Sequence, residues 1–184
     1  MTSTTSIRTR ILTAGAAAAL LTAPGIPAAV AAPSGPETAA AQEDCAGPSG
    51  ERVLLRDGGS LPDWVSPTTG ETVEPNLEFA DTSGFDACAD LSWITVQYGN
   101  ATHSPQHILL YHGTEYLGTA TSEPQPYLPQ IESTGGDTLT VDYPYVAPGQ
   151  DPATANPRGN AVSTFTWDEA TQSVVHEGDF PPGA

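Results

Sequence analysis

Short runs of β-branched and aromatic residues, separated by turn residues, occupy the chain from residue 91 onward. Runs of this kind are typical of strands in an antiparallel sheet. The predicted strands are residues 91–98, 107–111, 116–120, 138–143, 161–167 and 173–176. The sequence therefore predicts a mainly β fold without long helices, a small antiparallel sheet or sandwich of about five to seven strands.

The runs also indicate how the strands are covered and joined. Residues 138–143 place Leu139, Val141 and Tyr143 on one face and polar side chains on the other, as in a half-exposed antiparallel strand. Residues 91–98 carry apolar side chains in both alternations, so we expect both faces of that strand to be partly covered. Gly113 lies in the turn between residues 107–111 and 116–120, and the spacing predicts a hairpin. Residues 161–167 and 173–176 predict a last hairpin.

Prolines interrupt the strand pattern between residues 121 and 130. Pro124, Pro126 and Pro129 each lack a backbone donor, so this stretch cannot be a central strand and forms a crossing or an edge. Loops and sheet edges are common contact surfaces. We expect contact with a partner at this edge, through Thr121, Ser122, Glu123, Pro124 and Tyr127.

The segment 45–85 has a weaker pattern and predicts a loop-rich region. Val53, Leu54 and Leu55 fit either a short strand or a helical turn, and residues 61–64 predict a turn with a buried aromatic side chain. Cys45 and Cys88 are the two cysteines of the chain, and in an oxidising compartment such a pair forms one disulfide. Closing a loop of about 44 residues is worth roughly 4 kcal/mol in the chain-entropy model.

The first 31 residues predict a cleaved signal peptide. Arg8 and Arg10 precede an apolar run, and Ala29-Val30-Ala31 offers a cleavage site before Ala32. Prolines at 24 and 27 interrupt the run before it reaches the ~20 apolar residues that a membrane span needs, so we expect no transmembrane segment in the mature form. Residues 32–44 lack large apolar side chains and predict a disordered linker, which leaves 45–182 as a single domain.

The charge of the chain limits its partners. No lysine occurs, and after removal of residues 1–31 three basic side chains face 22 acidic ones, a net charge of −19. Nucleic acids and anionic lipids bind through clusters of lysine and arginine, so the sequence argues against both. Such a charge keeps a protein dispersed in solution, and the other interpretation is attraction for cations or for a basic partner.

The residues that could carry chemistry do not form a recognised motif. His103 and His107 have the spacing of helical zinc ligands, but Pro105 lies between them. No Gly-x-Ser-x-Gly motif and no calcium-loop motif occurs, so we expect no catalytic residue, no metal and no cofactor. A set of aromatic side chains fits either the lining of a ligand groove or the packing of the sheet, and packing is favoured. The set is Tyr111, Tyr116, Tyr127, Tyr143, Tyr145 and Trp167.

Four stretches of the chain read CADLSWI at 88–94, ILLYHG at 108–113, EYLGTATSEP at 115–124 and FTWD at 165–168. They resemble the LppP/LprE lipoprotein family of actinobacterial envelopes, and the likeness extends over about residues 45–182. The resemblance implies an exported envelope protein and carries over no reaction and no catalytic residue. Cys45 follows Ala41-Gln42-Glu43-Asp44, which a lipobox does not tolerate. We therefore expect a secreted or envelope-retained form without the family's lipid anchor.

The leading hypothesis is a monomeric, non-enzymatic binding or structural module that contacts an envelope protein or ligand outside the membrane. A second hypothesis is a secreted hydrolase or metal-dependent enzyme that uses His103, His107 or His112 with nearby carboxylates. A third is a secreted protease inhibitor that presents the loop between Cys45 and Cys88.

Overall fold

The computed structural model describes residues 46–67, 69–101, 104–150 and 159–184. Within these ranges the chain forms one α-helix, one 3-10 turn and ten strands. The helix α1 is Gly50–Asp57, and the 3-10 turn Gly58–Ser60 follows it. The strands are β1 Trp64–Val65, β2 Thr72–Val73, β3 Pro75–Asp81, β4 Ser92–Tyr98, β5 Gln106–His112, β6 Glu115–Thr119, β7 Gln130–Thr134, β8 Thr138–Tyr145, β9 Gly159–Asp168 and β10 Ser173–Gly178.

The strands form three antiparallel sheets. The first sheet has the order β3-β4-β5-β6, the second has the order β10-β9-β8-β7, and β1 and β2 form a separate ribbon. The mainly β class predicted from the sequence is therefore confirmed. The count of five to seven strands is wrong, because ten are present in the described residues. The missed strands are the two-residue β1 and β2 and the edge strands β3 and β7, whose side chains are mostly exposed or half-buried.

The main core lies between the two four-stranded sheets. Ile108 and Leu110 of β5 pack in one cluster with Leu139 and Val141 of β8 and with Phe165 of β9. Burial of each such side chain stabilises the fold by roughly 1.5–3 kcal/mol. Alternation along β8 is confirmed, because Leu139, Val141 and Tyr143 are buried while the residues between them are half-buried.

A second core lies on the other face of the first sheet, under α1. Val53 and Leu54 of the helix pack against Ile94 of β4 and against Leu109 and Tyr111 of β5. The central strands β4 and β5 are therefore covered on both faces, and residues 106–111 are all buried. This confirms the prediction of two covered faces for residues 91–98.

The region before β3 has more secondary structure than the sequence predicts. The apolar residues at 53–55 are helical, with Val53 and Leu54 buried and Leu55 exposed. Trp64 is half-buried in β1, so the prediction of a turn with a buried aromatic side chain is wrong. Packing on the first sheet decides the first outcome, since a run of three apolar residues does not distinguish a helix from a strand. Trp64 lies in a strand because β1 pairs with β2.

Both predicted hairpins are confirmed. Gly113 has a φ of 54° in the turn between β5 and β6, and its N–H donates to Ala89 O at 3.1 Å. The turn between β9 and β10 contains Gln172, a non-glycine residue with a φ of 51°.

The predicted signal peptide, linker and Cys45 lie outside the described residues. Cys88 is not a free thiol, and the chain passes close to it at Gly47, where an added Cβ would collide with the Cβ of Ala87. This placement brings the chain two residues from Cys45 next to the neighbour of Cys88. The disulfide between the two stays a prediction.

Candidate ligand groove

A groove opens at one end of the sandwich, where five parts of the chain meet. Its walls come from β1 and the residues after it, the start of β5, the connection from β6 to β7, the end of β8 and the C-terminal residues. The cavity volume is about 740 Å³. Sites for small ligands typically have volumes of roughly 300–1,000 Å³, so the groove is large enough for one.

The lining of the groove is mostly aromatic and apolar. Trp64, Tyr127 and Tyr145 supply three rings from separate parts of the chain. The prolines of the lining are Pro67, Pro105, Pro124, Pro126 and Pro182. Prolines hold their own backbone angles, so a wall built from them changes little when a ligand binds.

The connection between β6 and β7 is held to the first sheet by backbone hydrogen bonds between Gln106 and Gln125. The backbone N–H of Gln125 donates to Gln106 O at 2.8 Å, and the N–H of Gln106 donates to Gln125 O at 2.9 Å. The side chain of Gln125 donates from Nε2 to Glu123 O at 2.9 Å, and the hydroxyl of Thr121 donates to the same oxygen at 2.8 Å. This segment is therefore a fixed wall, and the prediction that it is not a central strand is confirmed.

Tyr127 lies in this wall with a φ of 70°. Left-handed backbone costs an L-residue other than glycine about 1–2 kcal/mol, and such strain often marks functional sites. Tyr127 lines the groove from this strained position. A glycine here would relieve the strain but would leave the groove without one of its three rings.

The C-terminal residues form another wall, through Pro182 and Gly183. Earlier in the chain, the N–H of Asp179 donates to Val162 O, and the hydroxyl of Ser163 donates to Asp179 O, both at 2.9 Å. The ring of His176 stacks on Phe180, with 3.8 Å between ring centroids and 9° between planes. These contacts fasten the C-terminal strap, residues 179–184, to β9 and β10.

Negative charge dominates the electrostatics of the groove. Glu123 is the one charged residue among the lining residues, and it is exposed. Tyr98 on β4 donates its hydroxyl to Pro62 O at 2.9 Å. Burial, followed by the nearby Tyr116, Asp63 and Glu123, raises the pKa of Tyr98 to about 12. Two carboxylates, Asp63 and Glu123, thus act on the same phenol.

Three of the five predicted contact residues line the groove: Glu123, Pro124 and Tyr127. Thr121 is buried and Ser122 is exposed, and neither is among the lining residues. Trp64, Val65 and Pro182 were missed, because they come from distant parts of the chain. The aromatic set was a second sequence signal for the groove, since it included both Tyr127 and Tyr145.

The histidines do not meet in one place within the described residues. His103 lies outside these residues. His107 is buried on the α1 face of β5, and burial lowers its pKa to about 4. The ring of His112 stacks on Trp167 of the second sheet. Its Nδ1–H donates to Asp90 O at 2.8 Å. The described residues include no group of three or more histidine, cysteine or acidic side chains that could hold a metal ion.

Ser163 and His176 have the spacing of a nucleophile and its base, with 3.0 Å between Oγ and Nε2. Ser163 is fully buried, and its hydroxyl already donates to the carbonyl oxygen of Asp179. His176 therefore donates to Ser163 rather than removing its proton. In this arrangement the pair fastens the C-terminal strap and does not present a reactive oxygen to the groove.

Together the fold and the groove define a small β-sandwich with an apolar site at one end. Residues 83–170 match the family model of the LppP/LprE lipoproteins. No curated protein and no solved structure matches the chain. The match is shorter than the resemblance seen in the sequence. It includes β4 to β9 and excludes α1, β1–β3 and β10. Five lining residues lie outside the match: Trp64, Val65, Pro67, Pro182 and Gly183.

The family is one of lipoproteins, which associates the chain with the cell envelope. Among the described residues no helix is long and apolar enough to cross a bilayer.

Proposed function

We propose that this chain is an exported, non-enzymatic domain that binds an apolar ligand in the groove and acts outside the cytoplasmic membrane. The observation that carries the proposal is the groove itself, with a volume of about 740 Å³ and three aromatic rings in its lining. One of these rings, that of Tyr127, is held there at the expense of backbone strain. Strain of this kind is consistent with selection for binding rather than for stability.

The geometry gives the alternative functions less support. The hydrolase hypothesis needs an accessible histidine near a nucleophile, whereas His107 is buried and His112 is stacked on Trp167. The inhibitor hypothesis needs a protruding loop between residues 45 and 88. Much of that segment is instead helix and strand, and Val53 and Leu54 within it are buried.

The proposed site is tested with a neutral apolar dye, Nile red, whose fluorescence increases when it leaves water. Val65 lines the groove and is 59% exposed, so Val65→Asp adds charge there with little cost in packing. Val162 on β9 is 45% exposed and lies outside the lining, so Val162→Asp is the matched control.

We expect the wild-type domain to bind the dye, Val65→Asp to weaken binding at least fivefold, and Val162→Asp to leave it within twofold. A wild-type domain that does not bind the dye, or an equal loss in both variants, would contradict the proposed site. Circular dichroism of each variant establishes that it is folded.

Export and the fate of the N-terminus are part of the same proposal. We expect the exported protein to begin at Ala32 and to carry no diacylglycerol. The intact mass of the protein recovered from the envelope and the medium measures both. A mass that includes a lipid adduct would show that the protein is anchored and would contradict the secreted form. It would not affect the proposal that the groove binds a ligand.

A further inference from the structure

The groove contains a negative charge that no described residue neutralises. Glu123 lines the groove, and Arg56–Asp57 is the one ion pair of the described residues. Both arginines of the described residues, Arg52 and Arg56, lie on α1. A cation that pairs with Glu123 therefore does not come from the described part of the domain.

A second carboxylate adds to this field. Asp63 precedes Trp64 in the chain, and both Asp63 and Glu123 contribute to the raised pKa of Tyr98. Glu123 itself lines the groove, and Asp63 is the chain neighbour of the lining residue Trp64. With a net charge of −17 for the chain, the long-range field also favours a basic partner.

The lining chemistry narrows the ligand class. Extended proline-rich peptides dock in grooves that are lined by aromatic rings, because the proline rings pack on the aromatic faces. Trp64, Tyr127 and Tyr145 supply such faces from three separate walls. A lysine or arginine of the ligand can also lie over an aromatic face, which adds a cation–π contribution.

From these observations we propose that the groove binds an extended, proline-containing peptide segment with a lysine or arginine side chain placed against Glu123. This inference rests on the proposed function, because it names the ligand class of the same groove. The ligand is then a proline-containing segment of another protein that carries a basic side chain.

Other ligand chemistries fit the groove less well. A carbohydrate needs many hydrogen-bonding groups, whereas Glu123 and Gln125 are the charged or amide side chains of the lining, and Nε2 of Gln125 is already bonded to Glu123 O. Anionic ligands are repelled by the carboxylates. The chain's own stretch 32–44 contains prolines but carries three acidic residues and no basic one.

The test compares synthetic peptides of equal length. The probe is acetyl-Pro-Pro-Lys-Pro-Pro-Lys-Pro-Pro-amide, and the two controls replace lysine by glutamate or proline by glycine. Binding to the full folded domain is measured by calorimetry at low and at physiological salt. Glu123→Gln removes the charge of the groove, and Glu132→Gln on the exposed strand β7 removes the same charge elsewhere.

We expect the lysine peptide to bind and both control peptides to bind at least tenfold more weakly. Glu123→Gln should weaken the lysine peptide about two- to fivefold and reduce its salt dependence, because an exposed ion pair has a modest effect. Glu132→Gln should change its affinity by less than about 1.5-fold.

Each other result contradicts a different claim. Equal affinity of the lysine and glutamate peptides, or no effect of Glu123→Gln, overturns the basic-peptide inference. Binding of Nile red without binding of any peptide overturns the peptide class and leaves the apolar groove intact. Failure of both the dye and the peptides overturns the proposed function as well.

Discussion

The imidazole ring of His112 stacks on the indole ring of Trp167, with 4.0 Å between ring centroids and 12° between ring planes. His112 ends β5 in the first sheet, and Trp167 lies on β9 in the second. The stack therefore joins the two sheets of the sandwich near the turn between β5 and β6. A hydrogen bond from His112 Nδ1–H to Asp90 O fixes the orientation of the imidazole ring.

This contact gives His112 a structural role. We expect His112→Ala to lower the free energy of unfolding by about 1–3 kcal/mol, from the lost ring stacking and the lost hydrogen bond. His112→Phe keeps a ring and should lose about half as much. Urea denaturation measures both variants. The hydrolase hypothesis expects the opposite, a variant that loses an activity while its stability is unchanged.

His107 should make stability depend on pH. Burial lowers its pKa from 6.5 to about 4, so the unfolded chain binds a proton at pH values where the folded chain does not. The contribution of His107 is therefore fully present above about pH 6.5 and is lost as the pH falls to about 4. Such a shift in pKa changes the free energy of unfolding by about 3 kcal/mol at most, and relaxation of the protein around the imidazole ring reduces this to about 2 kcal/mol.

The measurement is the difference in unfolding free energy between the wild type and His107→Leu at each pH. The difference isolates His107 from the many carboxylates that titrate near pH 4. We expect the wild type to lose about 2 kcal/mol more than His107→Leu between pH 7 and pH 4. A pH-independent difference would show that the histidine is not held neutral.

Substitutions of Tyr127 should affect the stability of the fold and the binding of the dye in different ways. Because its φ is 70°, Tyr127→Gly should be about 0.5–1 kcal/mol more stable than Tyr127→Ala, while both variants lose a ring of the groove. Both should therefore bind Nile red more weakly than the wild type. Gln172, with a φ of 51° in the β9–β10 turn, supplies the control, since Gln172→Gly should leave dye binding unchanged. Equal stability of the glycine and alanine variants at 127 would argue against backbone strain there.

The C-terminal strap should set the shape of the groove. Phe180 is 45% exposed and stacks on His176, two residues before Pro182 in the groove wall. We expect Phe180→Ala to cost no more than about 1.5 kcal/mol of stability and to weaken dye binding several-fold. Phe79 on β3 is 57% exposed and lies outside the lining, so Phe79→Ala should leave dye binding unchanged. Dye binding that survives Phe180→Ala would contradict the role of the strap.

The strands of the second half could be read from the sequence where burial is one-sided. Leu139, Val141 and Tyr143 alternate with polar residues, because β8 has one face in the core and one toward solvent. The sequence did not predict β7, because this strand has no buried face that would produce an alternating pattern. Ile131 is its sole aliphatic side chain, and four of its five residues are exposed. An edge strand forms because it pairs with a neighbouring strand. The local sequence pattern does not show which strand that neighbour is.

The sequence predicted one wall of the groove, the segment between β6 and β7, but not its other walls. Pro124 and Pro126 mark an irregular segment in any context, and such segments often carry contacts. Trp64 and Tyr145 lie about 80 residues apart in sequence and line the same groove only because β1 and the end of β8 reach the same end of the sandwich. Proximity of that kind depends on sheet order, which the sequence pattern does not specify.

The most direct test of the groove as the binding site is site-specific photo-crosslinking in the exporting cell. A photoreactive residue replaces Val65, which lines the groove, or Leu55 on α1, which is 78% exposed and outside the lining. We predict a discrete adduct at position 65, none at position 55, and loss of the adduct when Phe180→Ala is added. Adducts of equal yield at both positions, or none at position 65 in a folded and exported protein, would contradict the groove as the functional site.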